Sequence, residues 1–451
     1  MTLELERPGA VADDMQVTPA RVHEILSANI LADGFELVLD LRASRGRRLV
    51  DARDGTAYLD MFGFFASSAL GMNHPALAED ASFRDELATA ALNKPSNSDI
   101  YTVEMARFVD TFARVLGDPA LPHLFFIDGG GLAVENALKV AFDWKSRHNE
   151  MRGRPAELGT KVLHLTGAFH GRTGYTLSLT NTDPVKTARF PSFGWPRVDT
   201  PYLAGDIDIE AAEARALAQA RAAFAENPHD IACFIAEPIQ GEGGDRHLRP
   251  EFLRAMQALC HDNDALFVLD EVQTGVAATG SLWAYRQLGL RPDVVAFGKK
   301  TQVCGVMAGG RVDEVPDNVF AVSSRLNSTW GGNLTDMVRA RRILEVIERE
   351  ELAARAGRLG AHLLDRLVGL AERHPAVTDP RGRGLLCALT LPSAQRRDAV
   401  VTELREREHV LILGTGERGL RFRPPLTVTE AELDEAVDAL DRVLSRPAPG
   451  A

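Results

Sequence analysis

Four stretches carry residues whose types and positions could do chemistry, and each follows an apolar run of strand length. The glycines of DGGG (128–131) come after LFFI (124–127) and open a helical pattern. Glycine lets a backbone approach a ligand closely, and the free N–H groups of a helix start favour an anion. Asp270 ends the run ALFVL (265–269), where a buried carboxylate needs a cationic partner. Lys299 and Lys300 end VVAF (294–297), where desolvation can leave a neutral, nucleophilic amine. Glu237 and Glu242 fall in the proline- and glycine-broken loop that follows IACFI (231–235). Singly, each has a plainer reading as a glycine turn, a structural ion pair or helix cap, two solvated lysines, or a loop. Together they are what pyridoxal 5'-phosphate needs. The phosphate wants the helix start at Gly130 and Gly131. The ring nitrogen wants a carboxylate to stay protonated, and the aldehyde wants a lysine for a Schiff base.

The segments AFHGRT (168–173), AEPIQGEGG (236–244), LDEVQTG (269–275), FGKK (297–300) and RFRPPL (421–426) resemble the class III aminotransferases, the ornithine- and GABA-type enzymes of pyridoxal-phosphate fold type I. Within that family, SSALGMNHPAL (67–77), NKPSNSDIY (93–101) and GKKTQVCGVMAGGRVDEV (298–315) are similar to the branch that acts on the ε-amine of lysine. The resemblance implies roles residue by residue. Lys299, preceded by the small Gly298, is the Schiff-base lysine, with Lys300 as the competing reading. Asp270 pairs with the pyridinium nitrogen and Gln273 lies near the phenolic oxygen. Phe169 stacks on the ring, and Gly130 and Gly131 donate to the phosphate. Thr329, with Asn327 close by, reaches the cofactor of a second subunit, which implies a homodimer with composite sites. His170 is read as packing behind the ring, Glu237 as structural, and Arg423 as a surface or structural charge.

The substrate side has its own logic. A transaminase seats an amino donor and then 2-oxoglutarate in one site, and planar arginines bind carboxylates bidentately. The family pattern gives the α-carboxylate of glutamate or 2-oxoglutarate to Arg421. Arg172 takes the other carboxylate, or the α-carboxylate of lysine. Lysine reacting at its ε-amine brings no carboxylate for Arg421, and an unpaired buried guanidinium is costly. The glutamate of QGEGG, Glu242, solves this by pairing with Arg421 and swinging aside for 2-oxoglutarate. The implied reaction takes L-lysine and 2-oxoglutarate to L-glutamate and 2-aminoadipate 6-semialdehyde, which cyclises to piperideine-6-carboxylate. Another ω-aminotransferase of the family, acting on ornithine or GABA, is the alternative. No metal is expected.

The elements that position these residues read as α/β. Between about 75 and 325, apolar runs alternate with helix-length stretches, which predicts one large domain around a mostly parallel sheet, seven-stranded in fold type I. Alternating text over 35–62, one long helical stretch over 333–372, and strands near 385–391, 409–413 and 419–423 predict a smaller α+β domain built from both ends, 19–74 and 326–451. Residues 1–18 read as a loose tail. The chain has 451 residues, 45% hydrophobic and 25% charged, which is ordinary globular usage. Its net charge of −12 makes nucleic acid and anionic membrane poor partners. Four cysteines without close spacing, and a start lacking a secretory pattern, suit a reduced cytoplasmic protein.

Overall fold

The computed structural model describes residues 17–205 and 207–446; the tail expected over 1–18 lies outside them apart from its last two residues, as does the end at 447–451. Seven strands form the main sheet: β1 (His123–Ile127), β2 (Lys161–Leu165), β3 (Arg197–Val198), β4 (Ile231–Ala236), β5 (Leu266–Asp270), β6 (Val294–Phe297) and β7 (Cys304–Ala308). Their order across the sheet is β1-β7-β6-β5-β4-β2-β3. Every neighbouring pair is parallel except those made by β7, which runs antiparallel to β6 and β1. This is the expected mostly parallel sheet of seven strands. Every residue of β4, β5 and β6 is buried, as befits strands covered on both faces.

Helices complete the layers. Helix α1 (Gly130–Met151) lays Ala133, Ala137, Val140, Ala141 and Trp144 against one face of the sheet, a spacing that returns every three or four residues. Helices α2 (Ile209–Glu226) and α3 (Pro250–Asp262) fill two of the helix-length stretches between strands; α3 buries Phe252, Leu253, Met256 and Cys260. Strand β7 was not expected. Only a 3-10 turn, Lys299–Thr301, lies between it and β6, because the link at 298–303 folds straight back, pairing Phe297 with Gly305.

A smaller three-stranded sheet joins segments from both ends of the chain. Residues Arg48–Val50 and Ala57–Asp60 pair antiparallel, and Ala57–Asp60 pairs in parallel with Val410–Leu411. The earlier run FELVLDL makes only an isolated bridge, Leu39 to Asp51. A four-stranded sheet is ordered Thr378–Arg383, Leu386–Thr390, Gly419–Phe422, Leu413–Thr415. Its first strand went unread because TDPRGR is turn-like text. It is an edge strand with a register shift between Thr378 and Arg381, where proline is tolerated. The single helix expected over 333–372 is two, Leu334–Arg349 and Leu352–Arg373, because Glu351 takes a left-handed conformation at φ 49°.

Candidate active site

The carboxyl ends of β5 and β6 and the start of α1 meet at a cavity of about 230 Å³. Gly130, Gly131, Phe169, Asp270, Gln273 and Lys299 all line it, together with His170, Glu237 and Val272. In open α/β sheets a ligand is expected beyond the carboxyl ends of the strands.

Lys299 sits in the tight link between β6 and β7 with φ 55°, a left-handed value that costs a non-glycine residue about 1 kcal/mol or more. Gly298 is required before it: a Cβ there would stand 2.8 Å from Cys304 Sγ. The two lysines diverge. Lys299 faces the cavity, whereas Lys300 is buried and donates to the Gln273 carbonyl at 3.3 Å. Burial, then the neighbouring Arg421 guanidinium, push the Lys299 amine down to about 8. That is the range of a usable amine nucleophile and base.

Asp270 accepts from the Val272 N–H at 3.0 Å through Oδ1 and contacts His170 Nδ1 at 2.8 Å through Oδ2. Burial disfavours a charged His170, but Asp270 outweighs it and raises the imidazole above its ordinary value. His170 thus orients the carboxylate rather than merely packing. Its neighbour Glu271 points away, accepting from the Ala284 and Tyr285 N–H groups and from Thr274 Oγ1. Glu237 clasps two loops: it accepts from the Phe169 N–H and from the Gly241 N–H, each at 3.0 Å. Burial pushes its carboxyl up to about 7.

A charge cluster completes the wall. Arg421 lies on the inner strand Gly419–Phe422 and donates through Nη2 to Glu242 Oε1 at 2.6 Å. Its Nε and Nη1 are buried and have no partner among the described residues. Burial works against the Glu242 carboxylate, but Arg421, Lys186 and Lys299 hold its pKa below the ordinary value. Arg423, expected at the surface or as a structural charge, is fully buried. It pairs with Asp245 and donates through Nε to Gln273 Oε1 at 3.0 Å. The sequence reading missed this relay because Asp245 and Arg423 lie on segments far apart in the chain. It missed Phe65 for the same reason; that ring stands 5.9 Å from the Arg421 guanidinium.

The remaining expected residues lie elsewhere. Arg172 is exposed, one residue beyond the cavity-lining Gly171. Asn327 and Thr329 occupy an exposed loop, where the Thr329 carbonyl accepts from Ser96 Oγ at 2.6 Å, and Asn327 lines a different cavity with Asn97, Ser98 and Tyr101.

The sequence pattern of the family described as aminotransferase class-III matches residues 32–444. The chain belongs to the class III aminotransferases. Among members of the class, it is 66% identical over 431 residues to the L-lysine-epsilon aminotransferase of Mycobacterium tuberculosis, covering 95% of this chain and 96% of that one. It is 60% identical over 425 residues to the L-lysine-epsilon aminotransferase of Streptomyces clavuligerus, covering 93% of each. The solved lysine aminotransferase from M. tuberculosis superposes with a TM-score of 0.94 at 65% identity, covering 95% of this chain and 99% of that one.

Class III aminotransferases use pyridoxal phosphate, and the cavity fits it. The phosphate end needs close backbone approach at a helix start. A Cβ at Gly130 would meet Val272 Cγ1 at 2.9 Å, and one at Gly131 would meet Thr173 Cγ2 at 3.3 Å. Glycine leaves that space open at the first turn of α1, where N–H groups lack helical partners. Around the rest stand an aromatic face, Phe169, a buried carboxylate, Asp270, and an amine of lowered pKa, Lys299. No helix among the described residues is long and apolar enough to cross a membrane.

Proposed function

We propose that this aminotransferase moves the ε-amino group of L-lysine to 2-oxoglutarate, giving 2-aminoadipate 6-semialdehyde and L-glutamate. The observation that carries the reading is the Arg421–Glu242 pair beside Lys299, and the names of the 60–66% identical relatives support it. Bound pyridoxal phosphate supplies the carrier for the amino group and the sink for electrons. The protein's own groups do the remainder. Gly130 and Gly131 would hold the phosphate end, Phe169 would cover a ring face, and Gln273 would lie near the phenolic oxygen. Asp270, oriented by His170, keeps a proton on the ring nitrogen. Lys299 Nζ is the group that takes the proton from the donor's reacting carbon and returns it.

Arg421 decides between the two substrates. Lysine presenting its ε-amine brings no carboxylate to that side, and Glu242 neutralises the guanidinium. A 2-oxoglutarate α-carboxylate takes Glu242's place, and the partnerless Nε and Nη1 of Arg421 supply free donors for it. Arg172, exposed and one residue beyond the cavity-lining Gly171, is assigned the far carboxylate.

We further assign Thr329 and Asn327 to the site of a second subunit. Exposed apolar residues near them support a homodimer that covers this face: Ile100 is 67% exposed, Tyr101 77% and Val103 62%. We read two domains, 75–325 and the paired segments 19–74 with 326–451. The four cysteines are free and buried, which suits the cytoplasm.

A donor panel tests the function. The enzyme is given lysine, ornithine or GABA with 2-oxoglutarate, and the semialdehyde is trapped with an aromatic amine. Lysine is expected to give adduct and glutamate in equal amounts. Turnover of ornithine or GABA without lysine turnover would overturn the reading.

A further inference from the structure

Glu242 touches two cations, Arg421 and Lys186. Its Oε1 is on Arg421 at 2.6 Å, and its Oε2 stands 3.6 Å from Lys186 Nζ. The same Nζ lies 5.2 Å from the centre of the Phe169 ring and 3.4 Å from Thr182 Oγ1. We propose that Lys186 is the second seat of Glu242: the carboxylate rests on Lys186 whenever a dicarboxylate occupies Arg421. The inference rests on the two-substrate reading above and deepens it.

The backbone around Glu242 leaves the side chain as the part free to move. A Cβ at Gly243 would stand 2.1 Å from the Gly167 carbonyl oxygen, so the loop is pressed against its neighbour. The Gly416 N–H donates to the Glu242 carbonyl at 3.2 Å, and Thr415 Oγ1 donates to the Gly241 carbonyl at 2.6 Å. A displaced Glu242 therefore rotates about its own bonds. The carboxylate is four-fifths covered, and its charge needs a new partner when Arg421 is taken. Lys186 is already beside the oxygen that Arg421 does not use.

Lys186 is also held in place. It ends a short turn, Pro184–Lys186, whose start is fixed by Asp183 accepting from the Val185 N–H at 3.0 Å. That segment is tied to the Phe169 loop: the Asn181 N–H donates to the Ala168 carbonyl at 2.9 Å, and Asn181 Oδ1 accepts from the Gly167 N–H at 2.6 Å. A cation on a braced turn keeps its reach to one carboxylate. Lys186 acts through Glu242 and is a positioning residue.

The test separates the two arms of the reaction in the holoenzyme. Lys186→Met and Lys186→Arg are compared with the parent in single-turnover reactions with lysine and, separately, with 2-oxoglutarate. Glutarate, a dicarboxylate that cannot react, is titrated by calorimetry as a binding probe. Lys186→Met is expected to weaken glutarate binding about tenfold. It should slow the 2-oxoglutarate arm about tenfold more than the lysine arm, because a stranded Glu242 stays on Arg421. Lys186→Arg restores glutarate binding to within about twofold. Unchanged glutarate affinity in Lys186→Met, an equal loss in both arms, or no rescue by arginine would each overturn the assignment. A parent enzyme inert toward lysine would sink the substrate reading instead, and the glutarate titration would still judge Lys186.

Discussion

A lysine that must attack an aldehyde is useful only as the neutral amine, so its pKa sets the pH at which cofactor is captured. Burial and Arg421 bring Lys299 to about 8, against an ordinary value near 10.4. The sign follows directly: the amine is protonated below about 8 and free above it. In enzyme stripped of cofactor, the rate of recapture, followed by visible absorbance, is expected to rise between pH 7 and pH 9 and then level. Arg421→Met removes one neighbouring positive charge, and its midpoint is expected to move upward. A rate still climbing steeply at pH 10 would mean that the wall of the cavity does not depress this amine. The same neighbourhood explains the lysine doublet. Two adjacent side chains leave a tight turn in different directions, and only Lys299 enters the cavity, while Lys300 spends its charge-bearing end on a backbone carbonyl. Sequence alone leaves the pair ambiguous, because the direction depends on the φ of 55° that the return into β7 imposes on Lys299.

At the level of elements, the site depends on how the turn after the strand Ala57–Asp60 packs its backbone against the segment that follows the strand Gly419–Phe422. Residues Phe64, Phe65 and Ala66 all have positive φ, from 50° to 65°, following Gly63 at 54°. A Cβ at Gly63 would lie 2.3 Å from the Arg423 carbonyl oxygen, and the Arg423 N–H donates to the Met61 carbonyl at 2.7 Å. This left-handed turn is locked onto the strand that carries Arg421. Gly153 is a fair comparison, with φ 67° and open space around its missing Cβ. Gly153→Ala is expected to cost about 1 kcal/mol from backbone strain alone. Gly63→Ala adds a clash with main chain, and the expected loss is about 2–4 kcal/mol in denaturant unfolding. Equal losses would show that the Arg423 carbonyl yields freely. These contacts also mark where sequence reading stops. Continuous apolar runs exposed β4, β5 and β6, because burial on both faces writes itself into residue type. The expected Glu242–Arg421 juxtaposition came from a family pattern. The Asp245–Arg423–Gln273 relay and the Lys186 contact came from neither source. They join segments remote in the chain through single polar atoms, and such contacts leave no periodic trace.

For the whole molecule, the decisive question is whether one chain makes one site. Lys299 lines the cavity of its own chain, while Thr329 sits on an exposed loop beside uncovered apolar residues. If a second copy covers that face, Thr329 serves the neighbour's cofactor, and two damaged chains can repair each other. Lys299→Ala removes the amine, and Thr329→Asp sets a negative charge where the phosphate is expected. In a dimer combining the two, one site holds both lesions. The other holds Lys299 from one chain and Thr329 from its partner, and is intact. Random reassembly of an equal mixture makes half the dimers mixed, each with one working site of two, so about a quarter of parent activity is expected. The measurement is turnover after the two inactive proteins are unfolded together and refolded, against each refolded alone. If Thr329 served only its own chain, every mixed dimer would carry one site lacking the lysine and one carrying the aspartate. Activity would then stay at the average of the two variants refolded alone. A gain to about a quarter therefore cannot come from either chain alone; it requires that lysine and threonine of different subunits meet at one phosphate.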